Sequence, residues 1–380
     1  MKIALIGPVY PYRGGIAHYT AMLYHALSKR GHDVLMVSFK RQYPRWLYPG
    51  RSDKDPSRKP LLIENAHHWI DSLNPLTWLS TFWRIRCYRP DILIIQWWST
   101  FWAPFLLTFL CLYRSLIPLS PVVAFCHNIM PHESHWWDRL LTKMVLRLPT
   151  HYFVHSSQDK QHLIELIPAA RHTVIVVEFP PYEDIVSNRF TRSEARALLG
   201  LDPDRPVLLF FGLVRPYKGL MCLLEAVSQA RRYIPVHLLI VGEFWENKAK
   251  YLQKIDALGL SPCVTIVDRY IPDEEIDLYF KAANVLVLPY LQTSHSAVLQ
   301  IAFAAGLPVI ASEVGGLRES VKNGVNGLLV KPGDSISLAQ AILRYFGENL
   351  EDNLRSNISK MPKSDQWARI VSWIEGVLSS

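Results

Sequence analysis

The feature that most constrains this chain is a recurring series of short apolar runs, each followed by a segment with helical periodicity. The run "ILIIQW" at 92–97 is typical, because it shows no alternation of apolar and polar residues. Runs of this kind favour parallel strands that are buried on both faces. Strands that alternate with helices predict an α/β fold, with helices on both faces of a parallel sheet.

This pattern occurs twice along the chain. In the first half we predict a helix from Ala17 to Arg30 and strands at Lys2–Ile6, Asp33–Phe39, 92–97, 122–128, 151–156 and 172–178. A polar segment with prolines near 179–190 interrupts the pattern, and further strands are predicted at 206–212, 236–242, 263–268, 283–290 and 308–313. The sequence therefore predicts two doubly wound domains, with a ligand cleft at the carboxyl ends of their strands.

Two segments need separate treatment. Residues 40–80 are charged and rich in proline, and they read as a long loop. The stretch "FWAPFLLTFLCLY", 101–113, is the longest apolar run, but it is too short to span a bilayer and favours a buried or interfacial helix. The first residues carry no signal peptide pattern, and the five cysteines are scattered. A reducing cytosol is therefore the expected compartment.

Charge and tryptophan are concentrated in the first half. The whole chain has a formal net charge of +8. Residues 1–150 contain 18 Lys and Arg against 8 Asp and Glu, and nine of the twelve tryptophans precede residue 140. Basic residues interleaved with aromatic ones favour an anionic membrane interface, although many of these tryptophans also fit a hydrophobic core. Nucleic acid would also suit the charge, but the chain lacks a recognition motif for it.

A Gly-Gly pair follows the first predicted strand. Gly14-Gly15 stands where the strand ends and a helix begins. Glycines in this position form a tight turn, or they allow backbone N–H groups at a helix N-terminus to approach an anion closely. The pair lacks the spacing of the dinucleotide fingerprint and the lysine of a P-loop, so the local motif leaves both interpretations open.

The segment "FFGLVRPYKGL" at 210–220 is the most informative piece of the chain. A predicted buried strand ends at Gly212, and Arg215 and Lys218 follow in the loop before the next helix. Two cations at the carboxyl edge of a strand can bind a doubly charged diphosphate. A solvated surface loop is the alternative, and the position at the strand edge favours the binding site.

Four parts of the chain together resemble glycosyltransferase family 4. They are Gly14-Gly15, "RPYKG" at 215–219, the block "GLPVIASEVGGLRESVKNGVNGLLVKPGD" at 306–334 and the final "DQWARIVSWIEGVL". The resemblance covers essentially the whole chain. It implies a GT-B fold: two Rossmann-like domains facing a central cleft, at 1–185 for the acceptor and 186–360 for the nucleotide sugar, with a last helix at 361–380 returning to the first domain. It also implies transfer of a sugar from a nucleotide-diphosphate donor with retention of configuration, without a metal or other cofactor.

The resemblance assigns roles to single residues. Arg215 and Lys218 match the pair that neutralises the leaving diphosphate, and Gly15 matches the glycine that approaches the donor. The segment "CHNIMPHE" at 126–133 is similar to one whose histidine, here His127, lies beside the transferred sugar. The alternative is a zinc site formed by His127, His132, Glu133 and His135. Their spacing fits no pair on one helix face, so we favour the sugar site.

The sequence departs from the family at two positions. Thr293 and Ile301 stand where the family has glutamates that contact the donor sugar and the ribose. The segment resembles a subset of the family that reads Ser-Gly-Val here, with Ser296 kept and Ala297 where glycine is common. Ser296 and the N–H groups of Ala297 and Val298 precede a predicted helix and can bind phosphate.

Further donor contacts are expected around the predicted strand ends. Gly212 belongs to this set. The resemblance also implies a base site after the strand at 263–268, where the family holds its nucleobase; Val267 to Tyr270 are the candidates, with Asp268 and Tyr270 foremost. The acidic run from Asp273 to Glu275 is better explained as the first turn of a helix.

The function that the sequence predicts is a retaining glycosyltransferase of cell-surface polysaccharide biosynthesis. Its partners would be a nucleotide-sugar donor, a glycan or lipid-linked acceptor, and an anionic membrane reached through the segment from Trp69 to Arg114. We expect it in the cytoplasm or on the inner face of the membrane. The alternatives are a nucleotide-sugar epimerase on the same fold and a non-catalytic binding module, which the missing glutamates would suit.

Overall fold

The computed structural model describes residues 1–130, 135–182, 185–186, 189–361 and 365–378. The strands in these ranges are β1 (Lys2–Ile6), β2 (Asp33–Arg41), β3 (His67–Asp71), β4 (Ile92–Trp97), β5 (Val122–Cys126), β6 (His151–Val154), β7 (Val174–Val176), β8 (Val207–Phe211), β9 (His237–Val241), β10 (Val264–Val267), β11 (Val285–Leu288), β12 (Val309–Ser312) and β13 (Gly327–Val330).

The helices in the same ranges are α1 (Gly15–Lys29), α2 (Pro75–Tyr88), α3 (Ala103–Leu116), α4 (Trp136–Val145), α5 (Ser157–Leu166), α6 (Arg192–Leu198), α7 (Leu220–Ala230), α8 (Lys248–Ala257), α9 (Asp273–Ala282), α10 (Ala297–Ala304), α11 (Gly315–Ser320), α12 (Ser335–Gly347), α13 (Glu351–Ser359) and α14 (Gln366–Val377). Short 3₁₀ helices include Pro216–Lys218 and Thr100–Trp102. None of the described helices has the length and apolar character needed to cross a bilayer.

The chain divides into two compact units. The first comprises the described residues of Met1–Asp55, Pro60–Phe179 and Asp365–Ser380, and the second those of Pro56–Lys59 and Pro180–Ser364. Each unit has its own parallel sheet with helices packed on it, as the apolar runs predicted. The α/β class with two Rossmann-like domains is therefore confirmed.

The sheet of the first unit has seven strands in the order β3-β2-β1-β4-β5-β6-β7. All pairs are parallel, and β1 pairs with both β2 and β4. The strand order therefore reverses between β1 and β4, and a ligand crevice is expected outside the carboxyl ends of the strands at such a switch point. The predicted strand bounds Lys2–Ile6 and 92–97 agree with β1 and β4, whereas β3 lies inside the region that we predicted to be a loop.

The sheet of the second unit has six parallel strands in the order β10-β9-β8-β11-β12-β13. Its switch point lies between β8 and β11, where Leu209 pairs with Leu286. Both strands are buried along their whole length, so their ends are held rigidly by the core. The five predicted strands of this half are confirmed, and β13 is an additional strand that the sequence analysis did not predict.

The last helix, α14, belongs to the first unit and packs against α1. Trp367 of α14 lies against the buried ring of Tyr19, with 5.2 Å between the ring centroids. At the other end of α14, Glu375 accepts from Arg30 at 3.2 Å. The return of the C-terminal helix to the first domain is therefore confirmed.

The tryptophans of the first unit are divided between core and surface. Trp78, Trp97 and Trp102 are buried, and Trp69 and Trp98 pack against the same core. The segment from Trp69 to Arg114 therefore contributes many of its aromatic residues to the core, and its predicted contact with a membrane stays a prediction. The helix predicted from the run 101–113 is confirmed as α3, whose buried residues include Phe105 and Phe109.

A polar network fastens α13 to the body of the second unit. The carboxylate of Glu351 accepts from Asn284 Nδ2 at 2.7 Å and from Arg355 Nε at 2.8 Å, and it also pairs with Arg192. Burial alone would raise the pKa of the Glu351 carboxyl, but these donors outweigh burial and hold the pKa below its ordinary value. Ionised Glu351 therefore stabilises the folded state.

The helix α9 begins at Asp273 and carries three acidic residues in its first turn, as predicted. Its N-cap residue is Pro272, which has no side-chain acceptor. The hydroxyl of Ser57, also part of the second unit, accepts instead from the N–H of Asp273 at 3.0 Å. Ser57, which is distant in sequence, thus satisfies an N–H group in the first turn of α9, as an N-cap side chain usually does.

Candidate functional site

The loop after β8 folds back so that a lysine lies over the end of its own strand. Gly212 follows β8 directly, and its φ of +104° favours glycine. A Cβ atom at Gly212 would lie 3.0 Å from Lys218 Nζ. The absence of a side chain at Gly212 therefore provides the space in which the ammonium group of Lys218 lies.

The surroundings of Lys218 leave its charge poorly compensated. The residue is 9% exposed, and its ammonium lies 5.0 Å from the centroid of the Tyr290 ring. Among the residues that the structure describes, no carboxylate lies within ion-pair distance of it. Burial lowers the pKa of Lys218 below its ordinary value; Tyr217 acts against this shift, and the charge of Arg215 adds to it. A buried cation of this kind favours the binding of an anion.

Arg215 lies close to two aromatic rings. Its guanidinium carbon is 5.6 Å from the ring centroid of Tyr217 and 5.6 Å from that of Trp245. Tyr217 belongs to the 3₁₀ helix Pro216–Lys218, and its carbonyl accepts from the N–H of Leu291 at 2.7 Å. The cations predicted from "RPYKG" are therefore both held at the carboxyl edge of β8.

The N-terminus of α10 adjoins the same place. A Cβ atom at Gly212 would lie 3.6 Å from Cγ2 of Val298, in the first turn of α10. Ser296 is the N-cap, and its hydroxyl accepts from the N–H of Leu299 at 3.2 Å. The structure thus brings Gly212, Lys218 and Val298 together, and the positive end of the helix dipole adds to the charge of the lysine.

The two positions at which the family has glutamates are built differently here. Ile301 is 5% exposed and faces the core from α10. The hydroxyl of Thr293 donates to the carbonyl of His295 at 2.8 Å and so stabilises the loop before α10. A Cβ atom at Gly315 would lie 1.6 Å from the carbonyl oxygen of Thr293, so the Gly-Gly pair that opens α11 allows this loop to pack closely.

The predicted base-binding residues lie after β10. Asp268 accepts from the N–H of Phe244 at 3.2 Å and from Lys248 Nζ at 3.1 Å. Its carboxylate therefore fastens the loop after β9 to the end of β10. Tyr270 is half-buried two residues further on. The structure places Asp268 beside the segment that carries Trp245, and the assignment of both residues to the base remains a prediction.

Within the first unit, Gly14 is the N-cap of α1 and has a φ of +106°. Space does not require glycine at this position, since a Cβ atom at Gly14 would have no neighbour within 4 Å, but the backbone conformation does. Gly15 is the first residue of α1. The predicted arrangement, a strand that leads through Gly14-Gly15 into a helix N-terminus, is confirmed, whereas the contact of Gly15 with a donor stays a prediction.

His127 lies at the carboxyl end of β5 and is 1% exposed. Its Nε2 donates to Oε1 of Gln96 at 2.6 Å, and Gln96 in turn passes close to Gly7, where a Cβ atom would be 2.7 Å from Cγ of Gln96. Burial holds the pKa of His127 well below its ordinary value, and the neighbouring His155 lowers it further. Burial therefore favours the neutral ring, and the place of His127 beside a transferred sugar stays a prediction.

The alternative of a zinc site also involved His132, Glu133 and His135. His132 and Glu133 lie outside the described residues. The side chain of His135, the N-cap residue of α4, is 62% exposed, and its Nδ1 lies 3.6 Å from Oδ2 of Asp138. Buried His127 and exposed His135 therefore have different surroundings.

Sequence reasoning missed Trp245, Tyr290 and Gln96. None of these belongs to a motif with a known spacing, and each contributes through a contact that exists only in the folded chain. The one available signal was position, since Trp245 and Tyr290 both follow the apolar runs that become β9 and β11.

Two family models match consecutive parts of the chain. The model described as "Glycosyl transferase 4-like domain" matches residues 14–177, and the model described as "Glycosyl transferases group 1" matches residues 205–348. Among curated proteins, the D-inositol 3-phosphate glycosyltransferase of Nocardia farcinica is 32% identical over 224 residues, which is 56% of this chain and 48% of that protein. The chain thus spans less than half the length of this relative.

Solved structures share the fold over the whole chain. Sucrose-phosphate synthase from Thermosynechococcus elongatus has a TM-score of 0.75 at 21% identity, covering 100% of this chain and 99% of that one. Anabaena Alr3699/HepE in complex with UDP-glucose has a TM-score of 0.76 at 20% identity, with the same coverage. At these identities the likeness shows the fold, and the two family models add the sequence relationship. The chain belongs to the family-4 glycosyltransferases, with a 4-like domain followed by a group 1 domain on a GT-B fold.

Proposed function

We propose that this protein transfers a glycosyl group from a nucleoside-diphosphate sugar to a glycan or lipid-linked glycan, with retention of configuration, in the biosynthesis of a cell-surface polysaccharide. The observation that carries the proposal is the poorly compensated charge of Lys218 beside Gly212 and the α10 N-terminus, in a chain of this family. UDP-glucose, which Anabaena HepE binds in its solved structure, is the first donor to test.

The proposed chemistry breaks the bond between the anomeric carbon and the diphosphate oxygen and forms a bond from that carbon to an acceptor hydroxyl. The electron pair of the broken bond leaves with the diphosphate, and the acceptor proton passes to the departing phosphate. Arg215, Lys218 and the α10 N-terminus stabilise the charge that develops on the leaving group. Such help accelerates the reaction because it is stronger in the transition state than in the ground state.

The test is release of nucleoside diphosphate by the purified protein with donor and a mixture of glycan acceptors. Replacing Arg215 by alanine should lower turnover about 10²-fold or more, as expected for the loss of one electrostatic stabiliser. Arg344, exposed on α12 and paired with Glu348, is the matched control, and Arg344→Ala should leave turnover unchanged. An unchanged rate in Arg215→Ala would contradict the proposal.

Two outcomes would favour the alternative functions. Conversion of the donor without any acceptor would indicate an epimerase on the same fold. Saturable binding of nucleotide or glycan without turnover would indicate a non-catalytic module. For an active protein, the proton spectrum of the product distinguishes retention from inversion, because the anomeric coupling reports the configuration of the new bond.

The acceptor side of the proposal rests on a surface formed by three helices, which we call the α2–α4 surface. The helix α2 packs against α3, and α3 packs against α4. Exposed apolar residues on these helices include Leu76, Trp83, Leu116, Trp136, Trp137, Leu140 and Met144. The three helices also carry five basic residues, and their one acidic residue, Asp138, is buried. Apolar side chains among basic ones suit an anionic bilayer.

We place the membrane contact on this surface, on the cytoplasmic leaflet, where it would bring the first unit to a lipid-linked acceptor. All five cysteines are free thiols, in keeping with a reducing compartment. The α4 helix contributes most, since Trp136 is 78% exposed and Arg139 and Lys143 follow in the next turns.

Flotation with vesicles of phosphatidylcholine and phosphatidylglycerol tests this contact. The double variant Trp136→Ser/Trp137→Ser should lower the bound fraction about 10-fold or more, because each substitution takes away the large apolar area that an indole would bury in the interface. Trp373→Ser is the matched control, since Trp373 is 48% exposed on α14. High salt should weaken binding of all three proteins. If the wild type does not float with anionic vesicles, the membrane contact is refuted, while donor turnover is unaffected by that result.

A further inference from the structure

We propose that Trp245 is a positioning residue that holds Arg215 in the orientation needed to meet the donor diphosphate. The inference rests on the proposed function, since it concerns the same anion site. It assigns a role in glycosyl transfer to the segment "EFWENK" at 243–248, to which none of the sequence motifs gives one.

The guanidinium of Arg215 lies close to two rings that come from different parts of the chain. Its guanidinium carbon lies at equal distance, 5.6 Å, from the centroids of Tyr217 and Trp245. Tyr217 is part of the 3₁₀ helix that follows Arg215 in the chain, whereas Trp245 comes from the loop after the neighbouring strand β9. Arginine combines well with such faces because its planar cation stacks on aromatic rings.

Backbone hydrogen bonds continue the pairing of β8 and β9 beyond the sheet and so fix the position of Trp245. The N–H of Val214 donates to the carbonyl of Glu243 at 2.9 Å, and the N–H of Trp245 donates to the carbonyl of Val214 at 3.1 Å. A Cβ atom at Gly242 would lie 2.0 Å from the carbonyl oxygen of Gly212, so this close approach requires glycine. Trp245 is therefore attached to the residue that directly precedes Arg215.

The indole itself is also oriented. Its Nε1 donates to Oε2 of Glu243 at 3.3 Å, and Glu243 is 1% exposed. A buried acceptor on the same loop fixes the rotation of the ring about its side-chain bonds. The ring face, rather than the N–H edge, is thus left for the guanidinium.

A positioning role predicts that Trp245 acts only through Arg215. Replacing Trp245 by leucine should lower kcat and weaken nucleoside-diphosphate binding by roughly 3- to 30-fold, the range expected for one cation–π contact. Trp245→Phe keeps a ring at this place and should recover most of the loss. In the Arg215→Ala background, Trp245→Leu should change kcat and the nucleoside-diphosphate affinity by less than about 2-fold, because no guanidinium remains for Trp245 to orient.

The experiment is a double-mutant cycle on Trp245 and Arg215, read by kcat with a donor sugar and by calorimetric Kd for the nucleoside diphosphate and monophosphate. Equal effects of Trp245→Leu in both backgrounds would overturn the inference. Equal weakening of diphosphate and monophosphate would also overturn it, because the ring would then contact the nucleoside itself. Failure of the wild type to bind or turn over any donor refutes the proposed function instead, so the two failures are distinguishable.

Discussion

Replacing Lys218 by methionine should remove most of the activity and at the same time stabilise the ligand-free protein. Methionine keeps an unbranched apolar side chain but carries no charge. The ammonium of Lys218 is buried over the Tyr290 ring, and no carboxylate of the described residues pairs with it. Loss of such a stabiliser of the leaving diphosphate should cost about 10²- to 10³-fold in kcat, equivalent to about 2.7–4 kcal/mol.

The gain in stability depends on pH in a defined direction. Burial lowers the pKa of Lys218 below its ordinary value of 10.5. At a pH below the folded-state pKa, both folded and unfolded chains carry the proton, so the full cost of burying the charge is present. Between the folded-state pKa and 10.5, the unfolded chain binds more protons than the folded one, and wild-type stability rises with pH. The advantage of Lys218→Met is therefore largest near neutral pH and shrinks as the pH approaches 10.5.

The assay is thermal unfolding of both proteins from about pH 7 to about pH 10, with and without nucleoside diphosphate. Lys218→Met should have the higher Tm without ligand, and saturating ligand should reverse the order because only the wild type binds it well. The exposed Lys331, changed to methionine, is the control and should alter neither Tm nor kcat. A lower Tm for ligand-free Lys218→Met, or an unchanged kcat, would refute the reasoning.

Two further predictions concern stability. Glu351→Gln should lower the free energy of unfolding by about 1–3 kcal/mol at pH 7, because the ion pairs with its two arginine partners are lost. The pKa of Glu351 is lowered in the folded state, so the difference from wild type should vanish as the pH falls through that pKa. Denaturant titrations in the acid range measure this difference. Gly219→Ala should cost about 2–4 kcal/mol, because the residue has a φ of +70° and its Cβ would lie 1.9 Å from the carbonyl oxygen of Pro289. Gly259→Ala, with a φ of +63° and open space, should cost only the backbone part, and equal losses in both variants would show that the contact with Pro289 is unimportant.

The strands at the centre of both sheets could be predicted because burial on both faces leaves a continuous apolar run. The bounds of β1 and β4 follow directly from "KIALI" and "ILIIQW". The edge strand β3 has the sequence "HHWID" and is only partly buried, so it carries no such signal. A different reason applies to β13: three of its four residues are buried, but the strand is short and begins at Gly327, so its apolar run is brief.

The site was predictable to the extent that it depends on position along a strand. Arg215 and Lys218 follow the end of β8, so their common location follows from the amino-acid sequence alone. The role of Trp245 does not, because it depends on hydrogen bonds between Val214 and the loop after β9. Composition alone also failed to separate core from surface tryptophans: Trp97 is 1% exposed and Trp136 is 78% exposed.

The most direct test of the account is a calorimetric titration of the protein with UDP-glucose and with the corresponding guanosine and adenosine diphosphate sugars. The account predicts saturable binding of at least one donor by the wild type. It also predicts that the Arg215→Ala/Lys218→Ala variant binds that donor about 10²-fold or more weakly, because two charge-assisted contacts to the diphosphate are lost. Absence of binding for every donor, or equal affinity in the variant, would contradict the claim that these two cations form the donor site.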